Sequence, residues 1–264
     1  MITRHRVSLN GVQLDQVDSR IVIQNVSESA GKEQVTATAR AGRWGQRITQ
    51  RRRDFLDVTV TFGIDVKKRG MQTRETILEA VNAWAKDGGL LRLNYRENRR
   101  LRVVQADPPG AGDPWNWTGT YNLTFRAYAS PWWEEDTEYA TCTVAAATSG
   151  SERITIGGNT TTTAEIEMTN ESGGTVDTAD ITIGASTMLF TGLGLADGET
   201  LVIDHRDDGL LQIRIRSGSS YRSAMSARTA DSDDEFFVEP GENSARFRAE
   251  GACSLAVSAR GRFL

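Results

Sequence analysis

The sequence predicts a mainly β protein of two domains, and three observations carry that expectation. Through most of the chain apolar residues alternate with polar ones at period two, the signature of half-buried strands. One stretch, about residues 71–87, instead repeats at three and four, as a helix on a sheet would. Charge also changes sign part-way: up to Trp133 there are 21 Lys+Arg against 13 Asp+Glu (+8), and after it 10 against 22 (−12). A single uniform core does not readily produce that step, and 264 residues is a length at which cores usually divide. The expected domains are 1–132, a β-sandwich or barrel-like domain with one helix, and 133–264, a second β-sandwich. They meet at the aromatic joint Tyr128-Ala129-Ser130-Pro131-Trp132-Trp133.

In chain order, Arg4 to Leu9 reads as a strand ending at Asn10-Gly11, the strongest short hairpin signal, and Ile21-Val22-Ile23 as another. Leu56, Val58, Val60, Phe62 and Ile64 line one face of a third strand, with Asp57, Thr59 and Thr61 on the other. In the helix, Met71, Arg74, Leu78, Val81 and Ala85 form a stripe widened by Ile77 and Trp84, and Gly88-Gly89 stop it. Trp84 is expected to seat the helix on a sheet. A hairpin over Leu90–Val104 turns near Glu97-Asn98-Arg99. The last strand of this half points Trp117, Tyr121, Leu123, Phe125 and Ala127 one way.

The second half is almost wholly strand-like. Ala164, Ile166 and Met168 alternate with Glu165 and Glu167; Leu211, Ile213 and Ile215 with Gln212, Arg214 and Arg216; Ala245, Phe247 and Ala249 with Arg246 and Arg248. Turn signals such as Gly157-Gly158-Asn159, Ala196-Asp197-Gly198 and Pro240-Gly241 separate them. Thr160–Thr163 is expected to begin a strand while exposed.

Composition narrows the chemistry. No run approaches the roughly 18 apolar residues of a membrane span, and the N-terminus lacks the apolar core of a secretory signal, so cytoplasmic synthesis is expected. Cys142 and Cys253 each share a strand face with apolar neighbours, which suits two buried thiols better than a disulfide or a zinc site. The only histidines are His5 and His205. Asp204-His205 with Ser219 or Ser220 invites a triad, but adjacent strand residues face opposite ways. Asp231-Ser232-Asp233-Asp234-Glu235 lacks the spacing of a calcium loop and reads as a solvated acidic loop. No catalytic residue, cofactor or metal site is expected.

The remaining concentration is basic: Arg40, Arg43, Arg47, Arg51, Arg52 and Arg53 occur with Trp44 and no acid before Asp54. Three readings stay open for it. Arginines beside an aromatic can bind nucleic acid, can form interface ion pairs, or can coat a solvated hairpin. The acidic second half offers a ready partner, so Arg43, Trp44, Arg47, Arg51, Arg52 and Arg53 are the candidate subunit interface.

The order of these elements resembles the distal tail proteins of phages with long non-contractile tails. In the first half the resemblance is carried by Phe55–Phe62, the helix end Val81-Asn82-Ala83-Trp84-Ala85, the hairpin Leu90–Val104, and the strand running into Phe125–Trp133. In the second it is carried by Met168–Gly174, Leu195–Asp204 and Phe236–Asn243. The resemblance implies a ring, usually hexameric, joining the tail tube to the baseplate or tip. It implies an N-terminal tube-like β-domain that builds the ring and a galectin-like β-sandwich that projects from it. It further implies assembly in the host cytoplasm, residence in the virion, no enzymatic activity and no membrane segment. Arg43–Arg53 departs from the pattern in its arginine content. The competing class is a carbohydrate-binding β-sandwich for host-surface attachment. Few aromatics follow Tyr139, which weakens a stacking platform for sugars.

Overall fold

The computed structural model describes residues 5–29, 33–39, 46–65, 71–109, 120–128, 130–137, 139–206 and 210–264. It is mainly β, and the chain divides into two compact units after Trp133. No helix among the described residues is long and apolar enough to cross a membrane.

The first unit contains β1 (Val7–Leu9), β2 (Val12–Gln13), the short helix α1 (Leu14–Val17), β3 (Ile21–Ser29), β4 (Glu33–Ala39), β5 (Gln46–Arg53) and β6 (Leu56–Ile64). Helix α2 (Met71–Ala85), β7 (Gly89–Leu93), β8 (Arg99–Asp107) and β9 (Thr120–Ala127) follow. Seven of these strands pair in the order β2-β1-β7-β8-β9-β6-β3, the main path of a nine-stranded sheet. Asn10 and Gly11 both have positive φ (52° and 84°), the requirement of a two-residue hairpin turn that matches strand twist. All five apolar residues predicted for β6 are buried, as are Tyr121, Leu123, Phe125 and Ala127 of β9. Trp117 lies outside the described residues.

Helix α2 buries Ile77, Leu78, Val81 and Ala85. Trp84 meets Phe125 edge-on, with ring centroids 5.9 Å apart, and its indole N–H donates to the Val12 carbonyl at 3.3 Å. Trp84 therefore ties the helix to two strands at once, each fully buried neighbour on that face contributing about 1.5–3 kcal/mol. The helix ends at Ala85, and Gly88, with a φ of +64°, lets the chain reverse into β7.

Strand β10 (Trp133–Glu135) spans the change of unit. The second unit then runs β11 (Ala140–Ile156), β12 (Thr162–Asn170), β13 (Val176–Ile183), β14 (Ser186–Leu195), β15 (Thr200–His205), β16 (Leu211–Ser217) and β17 (Ser220–Ser223). After a 3-10 turn at Met225–Ala227 come β18 (Phe237–Val238), β19 (Gly241–Ala259) and β20 (Arg262–Phe263). The strand order is β14-β13-β19-β12-β15-β16-β17, with β11 on β19 and β18 on β12.

Strand β19 explains the sandwich. Its first half, through Ala249, pairs with β13, and its second half, from Cys253, pairs with β12. Its long partner β11 breaks register between Val144 and Ser149, opposite the same place. Two long strands that bulge and bend together can serve both layers, which is how sheet corners are made. A single apolar core fills the space between, from Val144 to Ala259. Asn170 is wholly buried in it with its polar atoms satisfied: its amide donates to the Gly174 and Leu195 carbonyls (2.8 and 2.7 Å), and its oxygen accepts from the Ser172 N–H (2.9 Å). Thr162 corrects one expectation. Only 2% of it is exposed, because β18 pairs across it.

Candidate assembly surfaces

Of the six candidate interface residues, Arg43 and Trp44 lie outside the described residues. Arg47, Arg51, Arg52 and Arg53 all fall on β5, which pairs with β4: Glu33 stands opposite Arg53, Gln34 opposite Arg52, Val35 opposite Arg51 and Thr38 opposite Arg47. Among the described residues no other strand joins this two-stranded ribbon. Val35, Thr36 and Ala37 of β4 are exposed. A two-stranded ribbon is marginal in water by itself, and its outer strand edges are templates for pairing with another chain. Among the described residues β3, nine residues long, pairs with β6 alone and presents a second such edge.

The far end of β3 is anchored by a residue that sequence reasoning did not single out. The Glu28 carboxylate accepts a fork of hydrogen bonds from Arg96 (3.2 and 3.0 Å), one from the Tyr95 hydroxyl (2.9 Å) and one from the Trp133 indole (2.8 Å). Trp133 is fully buried, and the Arg96 guanidinium stands 5.6 Å from its ring centroid. Burial, with the Glu28 charge beside it, pushes the Tyr95 hydroxyl well above the ordinary tyrosine range. These partners lie 67, 68 and 105 residues from Glu28 in the chain, so no local pattern marks them.

The open face of β6 and β9 is a ladder of short polar groups. Thr59 and Thr124 hydroxyls lie 3.2 Å apart, and Thr61 donates to Asn122 at 2.8 Å. Its one arginine, Arg126, is forked onto Asp57 (2.6 and 2.8 Å) and covers the Phe55 ring at 3.8 Å.

The structure separates the residues that could have made a triad. Asp204 pairs with Arg214, while His205 faces Glu235 at 3.7 Å, beyond hydrogen-bond reach, and among the described residues neither of its ring nitrogens has a hydrogen-bond partner. Ser219 and Ser220 sit at the β16–β17 turn. The acidic run is exposed at Asp231, Asp233 and Asp234, as expected of a solvated loop, and two of these carboxylates also make contacts. Asp233 accepts from the Thr187 N–H at 2.7 Å and Asp234 pairs with Arg228 at 3.0 Å, because this segment lies along the free edge of β14. Among the described residues no three His, Cys, Asp or Glu side chains converge as a metal site needs. Both cysteines are free; Cys253 is buried and Cys142 half-buried.

No family model matches the chain, and neither does any curated protein. Solved structures do. The Dit protein of phage SPP1, described as a paradigm of the hub adsorption apparatus in phages infecting Gram-positive bacteria, superposes with a TM-score of 0.70. The match covers 99% of this chain and 100% of that one at 14% identity. The fold is that of a phage distal tail protein. A chain from the phage P2 baseplate in its activated conformation with Ca matches at a TM-score of 0.50 and 9% identity, over 99% and 98% of the two chains. At such identities the likeness is one of backbone, not of side chains. The distal-tail fold takes in both units from end to end.

Proposed function

We propose that this chain is a structural component of a phage tail, forming a homo-oligomeric ring, usually of six copies, at the distal end of the tail tube. On this reading it joins the tube protein on one side to hub, baseplate or tip proteins on the other, and carries out no chemical step. The observation that carries the reading is the full-length match to a hub adsorption protein, both units included. The free edges support it. A closed ring needs a heterologous contact, in which two different patches of one subunit meet. The first unit offers such patches in the β3 edge and the β4–β5 ribbon. The ribbon's arginines suit a neighbour's carboxylates.

Immunogold labelling of virions is the direct test. Label at the distal tip of the tail is the expected result; purified tails that lack the chain would overturn the reading. In the same assay Arg51→Ala/Arg52→Ala/Arg53→Ala should weaken assembly most at low ionic strength, since exposed pairs contribute about 0–1 kcal/mol each and are screened by salt. If that variant assembles normally but loses affinity for DNA, the segment is a nucleic-acid contact instead.

A further inference from the structure

The outer face of the second unit is hollowed, and the strand register shows why. Thr143 of β11 stands beside Ala256 of β19, then Glu167 of β12, then Val202 of β15. In the next row Thr141 stands beside Ser258 and then Glu165. Residues in one row share a face. The middle strand therefore contributes only Ala256 and Ser258, between taller side chains to either side. A groove of about 330 Å³ results, bordered by Tyr139 at one end and by Glu165, Glu167 and Asp204 at the other. All of it lies within the second unit.

The borders are held rigidly. Tyr139 is half exposed, and the Arg260 guanidinium sits 4.6 Å from its ring centroid. Arg260 is itself tethered to the carbonyls of Glu135 and Asp136 at 3.1 and 2.9 Å. Glu167 is gripped by Arg216 through two bonds of 2.9 and 3.0 Å, and Asp204 by Arg214, which stacks 4.7 Å from Tyr221. Glu165 takes part in none of these pairings and stands exposed in the groove.

We propose that this groove binds a short neutral glycan of one or two pyranose rings. A pyranose presents an apolar C–H face and a rim of hydroxyls. It is met by a fixed aromatic ring, preset carboxylate and hydroxyl acceptors, and a floor low enough for close approach. The volume falls at the lower end of small-ligand sites. Charge decides against anionic sugars and phosphate polymers. No arginine at the groove's border is free to grip an anion: Arg216 holds Glu167, Arg214 holds Asp204, and Arg260 is engaged by the Tyr139 ring and the Glu135 and Asp136 carbonyls, while the Glu165 carboxylate faces the incoming ligand. The proposal rests on the groove alone and stands or falls independently of a role in the tail.

The test is calorimetric titration of the full chain with maltotriose, cellotriose, lactose and chitotriose, with poly(glycerol phosphate) as the anionic probe. At least one neutral sugar should bind with a Kd on the order of 0.1–1 mM. Tyr139→Ala should weaken it by about five- to tenfold, and Glu165→Gln by about tenfold. Glu165 is exposed, and Tyr139 gives up only its exposed contact with Arg260, so unfolding midpoints should move by no more than a few degrees. Failure of every neutral sugar to bind, preference for the phosphate polymer, or unchanged binding in both variants would each overturn the proposal. So would a change in self-association caused by Tyr139→Ala, which would make the face a contact between copies.

Discussion

Asn10 does two jobs in one turn. Its backbone takes the first positive-φ position of the β1–β2 hairpin, while its side-chain amide donates to the Gly88 carbonyl (3.0 Å) and its oxygen accepts from the Leu90 N–H (2.9 Å). The N-terminal hairpin thereby holds the start of β7. The glycines on either side of this link have different reasons to be glycine. A Cβ on Gly88 would stand 2.3 Å from the Val103 carbonyl oxygen, which is backbone and cannot yield, whereas one on Gly11 would meet nothing within 4 Å. Gly11→Ala should therefore cost only the left-handed backbone penalty, about 1–2 kcal/mol, and Gly88→Ala about 3 kcal/mol or more. Urea unfolding of the two variants checks the ranking; equal losses would refute the steric account. Cys253 supplies a pH dependence. Burial first, and the nearby Glu171 charge second, push its thiol up to about 11 from an ordinary value of 9.0. Above pH 9 the unfolded chain gives up a proton that the folded chain keeps, so this group's stabilisation is complete below pH 9 and lost as pH rises towards 11. Tyr95 shifts the same way and titrates in both proteins, so the comparison that isolates Cys253 is wild type against Cys253→Ala. Wild-type stability should fall more steeply between pH 9 and 11; parallel slopes would exclude the thiol.

Edges distinguish the elements. In the second unit β14 is an outer strand, yet the segment 229–233 covers it. Asp233 accepts from the Thr187 N–H (2.7 Å) and returns its own N–H to the Thr187 carbonyl (2.8 Å), while the Ser232 hydroxyl accepts from the Leu189 N–H (2.9 Å). The chain has blunted this edge as soluble sheet proteins must. Ser232→Ala/Asp233→Ala uncovers two backbone donors and should cost about 1–3 kcal/mol. It should also raise light scattering on standing, since an opened edge pairs with another; a monodisperse variant of wild-type stability would show that the cover does nothing. The contrast with β3 and the β4–β5 ribbon is informative, because those edges carry no such cover among the described residues. It also marks what was legible beforehand. Strand β6, the stripe of α2 and the Asn10-Gly11 turn could be read because period and turn chemistry are local. The exposure of the acidic run was legible but its hold on β14 was not, because a carboxylate serving an N–H 46 residues away leaves no local sign. Glu28 was missed for the same reason, and so was the groove, which exists only once β11, β19 and β12 are in register.

At the scale of the whole molecule, the charge step and the two cores coincide near Trp133. The second unit's apolar cluster draws every member from Val144 to Ala259, so residues 134–264 possess a core of their own. Its C-terminal strand also closes on its beginning: Glu135 and Gly261 exchange backbone and side-chain bonds of 3.0 and 2.9 Å, and Arg262 lies 3.5 Å from Glu134. A domain of about 130 residues buries roughly two thirds of its unfolded surface, enough for independent folding. We therefore expect two separable unfolding transitions, and the tryptophans give a clean way to see them. All six precede Glu134, so their fluorescence reports the first unit alone, while far-UV circular dichroism reports the strands of both. For a chain of two units of unequal stability the two probes should trace non-coincident denaturation curves, which a single two-state core cannot produce. The fragment 134–264, which has no tryptophan, should on its own reproduce the part of the dichroism transition that fluorescence does not see. Coincident curves from the full chain, together with a fragment that melts without cooperativity, would mean that the two units are one folding core and that the charge step divides only the surface.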